Sequence, residues 1–391
     1  MSTHTFITDE TETGPAVSSL RTDGQIEEIA AAGQWTLIWH KFAKNKVAIV
    51  AGVIIGLLYL VALFAEFLAP TLPHLSKPRF TYAPPQEIRL FVKTPEGDDR
   101  FQLHVTGYRM EVDQASLRRS YTIDEDKVVP IGFFVKGQPY KLWGLIPMDT
   151  HLLGPLKSTD TMYLLGTDKL GRDLLSRLIH GTRISMSIGL IGVGISLCLG
   201  VILGALSGFY GGTVDLVIQR VIEVISSMPT IPLWLGLAAA IPLTWSPLTV
   251  YFIITLIVSL FGWTGLAREV RGRFFALRGE DFVTAAKLDG SSERRVIFRH
   301  ILPSLTSHIL AVLTLALPTM IVAETALSFL GIGLKAPVVS WGVLLQEAQN
   351  VRTIATAPWL LLWPGGAVVL TVLAYNFLGD GLRDAADPYE S

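Results

Sequence analysis

Asp281–Leu305 reads DFVTAAKLDGSSERRVIFRHILPSL, a strongly charged segment set between two long apolar runs. Read as helix, Phe282, Ala285, Ala286 and Leu288 or Asp289 make a short amphipathic turn with a small-residue face. Gly290 can supply the left-handed backbone that ends it. Ser291 or Ser292 then caps a second short helix, with Val296 and Ile297 facing apolar surroundings and Arg294, Arg295 and Arg299 in water. Pro303 marks the start of the next apolar run. The spacing predicts a helix, a turn and a helix lying along a membrane surface, with alanines exposed where a larger side chain would hold a partner away.

The surrounding composition supplies the membrane. The chain has 391 residues, 50% of them hydrophobic and only 17% charged, with apolar runs near bilayer length. That is too apolar for an ordinary soluble globule. The basic residues are scattered near the ends of the runs and form no single stripe, so nucleic acid is excluded as a partner. Cys198 is the sole cysteine, which rules out a disulfide framework or a thiolate zinc site within one chain.

Six spans are predicted. Val47–Leu68 follows Lys41, Lys44 and Lys46, which place its start in the cytoplasm by the positive-inside rule. Spans at Ile184–Phe209, Leu216–Ile241, Leu248–Leu266, Ser307–Leu330 and Trp359–Leu378 complete the set, with kinks expected at Pro229, Pro232 and Pro318. This puts the 267–303 segment inside, where its eight basic residues against five acids from 268 to 299 agree with the rule.

The fold class expected is an all-α polytopic membrane protein with six transmembrane helices and a small β-containing periplasmic insert between spans 1 and 2. Residues 1–40 read as a cytoplasmic tail, 41–69 as the first transmembrane helix and 70–164 as the insert. Residues 165–379 form a core holding the 267–303 loop, and 380–391 a cytoplasmic tail. Within the insert, EIRLFVKTPEGDDRFQLHVTGYRMEV alternates apolar and polar residues on both sides of a Pro95–Asp98 turn.

In LGTDKLGRDLLSRLIHGTR, Leu170, Leu174, Leu175 and Leu178 share one helical face, with Lys169, Arg172, Asp173 and Arg177 elsewhere. That pattern predicts a helix lying along the interface before span 2. Its glycines mimic a phosphate loop, but Arg172 and Asp173 stand where Lys and Ser/Thr are required and no strand precedes them. Gly192, Ser196, Gly200, Gly204 and Gly208 recur every fourth residue inside span 2, a stripe that lets a neighbouring helix approach closely. Glu223 and Glu324 lie in or near spans, where an unpaired carboxylate is costly. Glu324 is a candidate pathway residue or a hinge-capping acceptor; Glu223 is expected wet or paired.

The charged segment resembles the EAA loop of bacterial ABC importer permeases, a Glu-Ala-Ala followed by Gly and then Ile-x-Leu-Pro. Ala285, Ala286, Gly290, Leu302 and Pro303 match it, Thr284 stands for the Glu and His300 for the Ile. The RHILP form is similar to the peptide and nickel class. Further blocks, SGFYGGTVD, ETALSFLGIGL, SWGVLL and NFLGDGLRDAADP, resemble the C-type subunit of dipeptide and oligopeptide importers in order and spacing.

The resemblance implies a subunit of the bacterial inner membrane with both termini cytoplasmic. It implies a B-type permease partner, two ATPase subunits that bind the ATP, a periplasmic solute-binding protein and surrounding lipid. It implies no catalytic site, cofactor or metal in this chain. ATPase coupling would fall to Glu280, Asp281, Thr284, Ala285, Ala286, Gly290, His300, Leu302 and Pro303, with Glu280 or Asp281 replacing the carboxylate that Thr284 lacks. Peptides lead as solute, with oligosaccharide, opine or nickel as alternatives. A more remote reading is an ion-driven secondary transporter, which wants several mid-membrane carboxylates and inverted repeats. An intramembrane enzyme would need an HExxH, Ser-Lys or paired-Asp arrangement, and the sequence has none.

Overall fold

A computed structural model describes residues 34–93, 99–112, 114, 119–242 and 244–386. The N-terminal tail before residue 34, the Pro95–Asp98 turn and the last five residues lie outside them. Among the described residues, five helices are long and apolar enough to cross a membrane, or six if one bent pair counts as a single span.

Helix α1 (Gln34–Phe42) precedes α2 (Lys46–Leu63), whose first turn is capped by Asn45 accepting the Ala48 amide at 3.1 Å. A short turn of helix, α3 (Ala65–Leu68), leads into the insert. Helix α4 (Leu174–Tyr210) is followed by α5 (Gly212–Ser227) and α6 (Thr230–Ala239). Span 3, read as Leu216–Ile241 with kinks at Pro229 and Pro232, proves to be two helices. Helices α5 and α6 bend by 84° at Met228–Pro229, because Pro229 holds extended backbone and lacks the amide that would continue the helix. Helix α7 (Pro247–Leu277) leads to α8 (Asp281–Leu288), and α9 (Thr306–Phe329) follows the charged loop. Then come α10 (Trp341–Gln346), α11 (Val351–Thr356) and the long α12 (Trp359–Ala386).

Helix α4 also departs from expectation. No separate interfacial helix precedes span 2: Gly171 at φ 70° turns the chain, Asp173 accepts the Ser176 amide as N-cap, and one helix of 37 residues runs on to Tyr210. Leu170 therefore lies in the loop, and Arg172, Asp173 and Arg177, expected in water, are turned inward.

Small residues set the helix contacts. Ala51 and Ile55 of α2 pack with Ala374 and Tyr375 of α12 in a cluster that also takes in Met186, Ile321 and Trp341. The Tyr59 and Tyr375 hydroxyls meet at 2.8 Å.

The insert is an antiparallel meander of β1 (Ile88–Lys93), β2 (Asp99–Val112), β3 (Arg119–Leu142) and β4 (Ile146–Pro155), in that order. The first half of β3 pairs β2 up to His104 opposite Pro130, and the second half pairs β4 from Ile131 opposite Pro155. The changeover falls at Pro130, which cannot donate to a ladder. Val105, Val129, Ile131 and Met162 form its small core.

Candidate functional site

In α8, at roughly 100° per residue, Asp281, Thr284, Ala285 and Leu288 share one face and Val283 and Ala286 the opposite one. The first four are exposed, Leu288 by 83%, and the last two are buried. The sequence reading had both alanines outward. Only Ala285 is; Ala286 faces the core because Val283, one turn before it, anchors that side. Glu280 is the N-cap residue and lies on the flank of the outward face.

Gly290 ends the helix at φ 77° with a complete Schellman pair: the Ser291 amide donates to Ala286 and the Gly290 amide to Lys287, both at 3.0 Å. Beyond it the expected second helix is only Glu293–Arg295, after which Val296–Ile301 widens into a π-helical turn. The widening lets Val296, Ile297 and Ile301 all point inward, with Arg294, Arg295 and Arg299 exposed. These residues join Val283 and Ala286 in one cluster with Leu266, Val270 and Phe274 of α7 and Ala205 of α4. Two polar contacts brace the loop against the end of α4. The Lys287 ammonium lies 5.2 Å from the Phe209 ring centre, and the Tyr210 hydroxyl donates to Glu293 at 2.8 Å. His300 and Leu302 are half-buried and Pro303 is exposed. The loop is thus a rigid extension of α7 and α4.

The small-residue stripe of α4 meets α7 along its whole length. Ser196 donates to the Ser259 carbonyl at 2.9 Å. A Cβ at Gly192 would stand 3.2 Å from Ser259 Oγ and one at Gly200 2.9 Å from Leu266. One at Gly204 would reach within 2.6 Å of the Ala267 carbonyl, and one at Gly208 within 2.5 Å of Phe274 Cβ. Backbone approaches of this kind tolerate no side chain.

Beside this pair lie two cavities of about 690 and 710 Å³ that share Gly262, Thr319 and Met320. The first is apolar along Leu197, Leu266 and Val312 and carries Arg268, Arg273 and Arg383. In it His308 meets Glu269 at 3.3 Å. The second is lined by Trp234, Phe261, Thr264, Leu327 and Asn376, with no charged residue among the described ones. Nothing in the sequence singles out Met320, since an apolar residue in an apolar run carries no periodic signal.

Glu324 lines neither cavity. It is fully buried, and its Oε1 accepts from Ser328 at 2.8 Å and Ser340 at 2.9 Å. Ser328 Oγ accepts the Leu334 amide, and Ser340 accepts the Val343 amide as N-cap of α10. One carboxylate thereby ties the end of α9 to the start of α10 through the two serine hydroxyls. Glu223 is exposed and meets Arg220 at 2.6 Å.

A buried charge cluster, invisible in the sequence, closes the opposite end of α4. Arg172 Nε lies 2.6 Å from Asp168, and Arg177 pairs with the same oxygen. Arg172 and Arg177 both reach Glu347 Oε1, at 3.1 and 3.2 Å. Asp168 and Arg172 are four residues apart, but Glu347 is far along the chain and no local pattern announces it. Next to them Asp173 is pushed up to about 6 by burial, against the Ser176 bonds that lower it and with the Asp168 charge adding to the rise.

Apolar helices long enough to cross a membrane, with a charged loop packed against two of them, make this a polytopic membrane protein. Residues 200–389 match the family described as binding-protein-dependent transport system inner membrane component. Residues 33–85 match the N-terminal TM domain of oligopeptide transport permease C. The oligopeptide transport system permease protein OppC of Haemophilus influenzae is 37% identical over 240 residues, 61% of this chain and 75% of that protein. The dipeptide transport system permease protein DppC of Alkalihalophilus pseudofirmus is 36% identical over 61% of this chain and 76% of its own. The glutathione transport system permease protein GsiD of Pectobacterium atrosepticum is 38% identical over 64% and 79%. The chain belongs to this family of binding-protein-dependent inner membrane permeases, and is a transport subunit rather than an enzyme.

Proposed function

We propose that this chain is the C-type half of a peptide importer of the inner membrane, pairing with a B-type permease and driven by two ATPase subunits. A solute-binding protein delivers the cargo. The observation that carries the coupling role is the outward face Asp281, Thr284, Ala285 and Leu288, presented by a helix whose other face is locked to α7 and α4. A rigid loop transmits displacement: movement of the docked face carries Phe274 and Val270 with it and so tilts α7 against the two cavities. Differential docking in two ATPase states supplies the bias between inward and outward openings.

Asp281 is the substitute for the missing carboxylate. It shares the outward face with Thr284 and Ala285, whereas Glu280 sits on the flank. Peptides are favoured as solute because relatives named for oligopeptides, dipeptides and glutathione all match over three quarters of their length or more. Neither intramembrane carboxylate favours an ion-driven carrier, since Glu223 is paired at the surface and Glu324 is sealed away from both cavities.

The test is extraction of the complex in detergent and its reconstitution with the binding protein. ATPase subunits are expected to co-purify, with peptide uptake requiring ATP. Uptake driven by a proton or sodium gradient with no ATPase retained would overturn the reading. A thermal-shift screen of the binding protein against peptides, oligosaccharides, opines and nickel identifies the solute.

A further inference from the structure

Helix α2 carries an exposed apolar strip, Val50, Val53, Leu57, Leu60 and Leu63, at helical spacing. Its 18 residues span about 27 Å from Lys46, so Leu63 stands at the far edge of a hydrocarbon core about 30 Å thick. At that level the chain becomes polar: Arg183 grips both oxygens of Glu66, at 2.5 and 2.6 Å, and donates to the Ala62 carbonyl at 2.7 Å.

The insert comes back to this point. Trp143, at the tip of the β3–β4 hairpin, donates its indole N–H to the Leu63 carbonyl at 2.7 Å, and its ring centre lies 6.0 Å from that of Phe64. Phe134 of β3 lies 6.1 Å from Phe67 in the same way. Around these contacts apolar side chains stay bare: at the tip Leu145 is 78% exposed and Trp143 46%, with Ile146 beside them, and further along the hairpin Phe134 is 68% exposed next to an exposed Phe133. Trp143 and Gly144 hold φ of 54° and 72°, the signs of a type I′ turn, where Asn or Gly is the usual first residue. A tryptophan there meets a need other than turn formation.

We infer that the β3–β4 hairpin, through Trp143, Leu145 and Ile146 at its tip and Phe133 and Phe134 further along it, inserts into the leaflet of the membrane opposite to Lys46 and anchors the insert to lipid. The strip on α2 faces lipid, and the aromatic patch continues it at the height where amphipathic rings concentrate. The Trp143 indole satisfies its polar atom on the span and leaves its apolar body to the acyl chains. No part of β1 or β2 has an equivalent contact with α2 or α3 among the aromatic pairs and side-chain bonds described. The anchor would hold the sheet at a fixed height over the helices.

Nitroxide labels test this in the full chain, reconstituted in phosphatidylcholine nanodiscs, with Cys198→Ser removing the native thiol. Labels go at Leu145→Cys and, in case that label disturbs the turn, at Phe134→Cys. Glu125→Cys, 73% exposed on the first half of β3, is the control. Collision with oxygen, which concentrates in hydrocarbon, is expected to exceed collision with a water-soluble nickel chelate several-fold more at the two hairpin sites than at the control. Equal ratios at all three sites would overturn the proposal. So would hairpin sites that stay chelate-accessible in lipid and become shielded only when the solute-binding protein is added, which would make that protein the occupant.

Discussion

The Ser291 amide donates to the Ala286 carbonyl at 3.0 Å across Gly290, which is held at φ 77°. The bond fixes the angle between the exposed helix α8 and the π-helical turn that buries Val296 and Ile297, and so aims the outward face. Replacing Gly290 with valine places a β-branched residue in left-handed backbone at about 1–2 kcal/mol. No atom lies within 4 Å of the added Cβ, so the strain stays local. Gly290→Val is expected to weaken ATPase association about tenfold, by the usual 1.4 kcal/mol conversion, while the melting of the membrane helices stays near native. Pull-down and circular dichroism on the same preparation check it.

The outward position of Asp281 separates it from Glu280. Asp281→Asn removes the charge from the face that carries Thr284 and Ala285 and is expected to lower ATPase affinity several-fold, with a reduced salt dependence. Glu280→Gln is expected to leave affinity within about twofold, since a flanking exposed charge contributes little. Titration of ATPase subunits onto reconstituted permease at two ionic strengths distinguishes the two.

The stripe on α4 makes a graded prediction. Gly204→Leu and Gly208→Leu drive a side chain into the Ala267 carbonyl and the Phe274 Cβ, and are expected to destabilise the bundle by about 1–3 kcal/mol or more. Gly194→Ala, on the same helix with nothing within 4 Å of the new Cβ, is expected to be neutral or to stabilise by up to about 1 kcal/mol. Thermal midpoints in one detergent report the difference.

Asp173 sets a pH dependence. Its folded pKa is raised by burial to about 6, while the unfolded chain titrates near about 3.9. Between those values the folded state binds more protons, so this group's contribution to stability falls as pH rises from about 4 to 6. Asp173→Asn keeps an acceptor for the Ser176 amide and abolishes the buried charge. Its melting midpoint is expected above native at pH 7, by the equivalent of about 1–3 kcal/mol, and equal to native at pH 4.

Much of the membrane organisation was legible because burial in lipid writes itself into runs of apolar residues, and closely packed helices into a small residue every fourth place. Gly290 and the inward pair Val296 and Ile297 were readable for the same reason, each resting on contacts a few residues apart, whereas Ser292 stands at the N-cap position without a side-chain capping bond. The face of Ala286 was misread because its neighbour Val283 decides it through a cluster contributed by α7 and α4. The supposed interfacial helix before span 2 was misread because the charges of Arg172 and Arg177 look wet until Glu347 arrives to neutralise them.

The sequence by itself determined that this protein lives in a membrane, how many apolar stretches it has and that a charged segment turning at Gly290 lies between two of them, since hydropathy and turn chemistry are local properties. Only the tertiary structure decided which face of α8 points outward, that Glu324 is buried against Ser328 and Ser340, how sharply span 3 bends at Pro229, and that a β-hairpin returns to the end of α2. Each of those depends on groups distant in sequence meeting in space, where the balance of desolvation against a new hydrogen bond or ion pair is set by the partner and not by the neighbours along the chain.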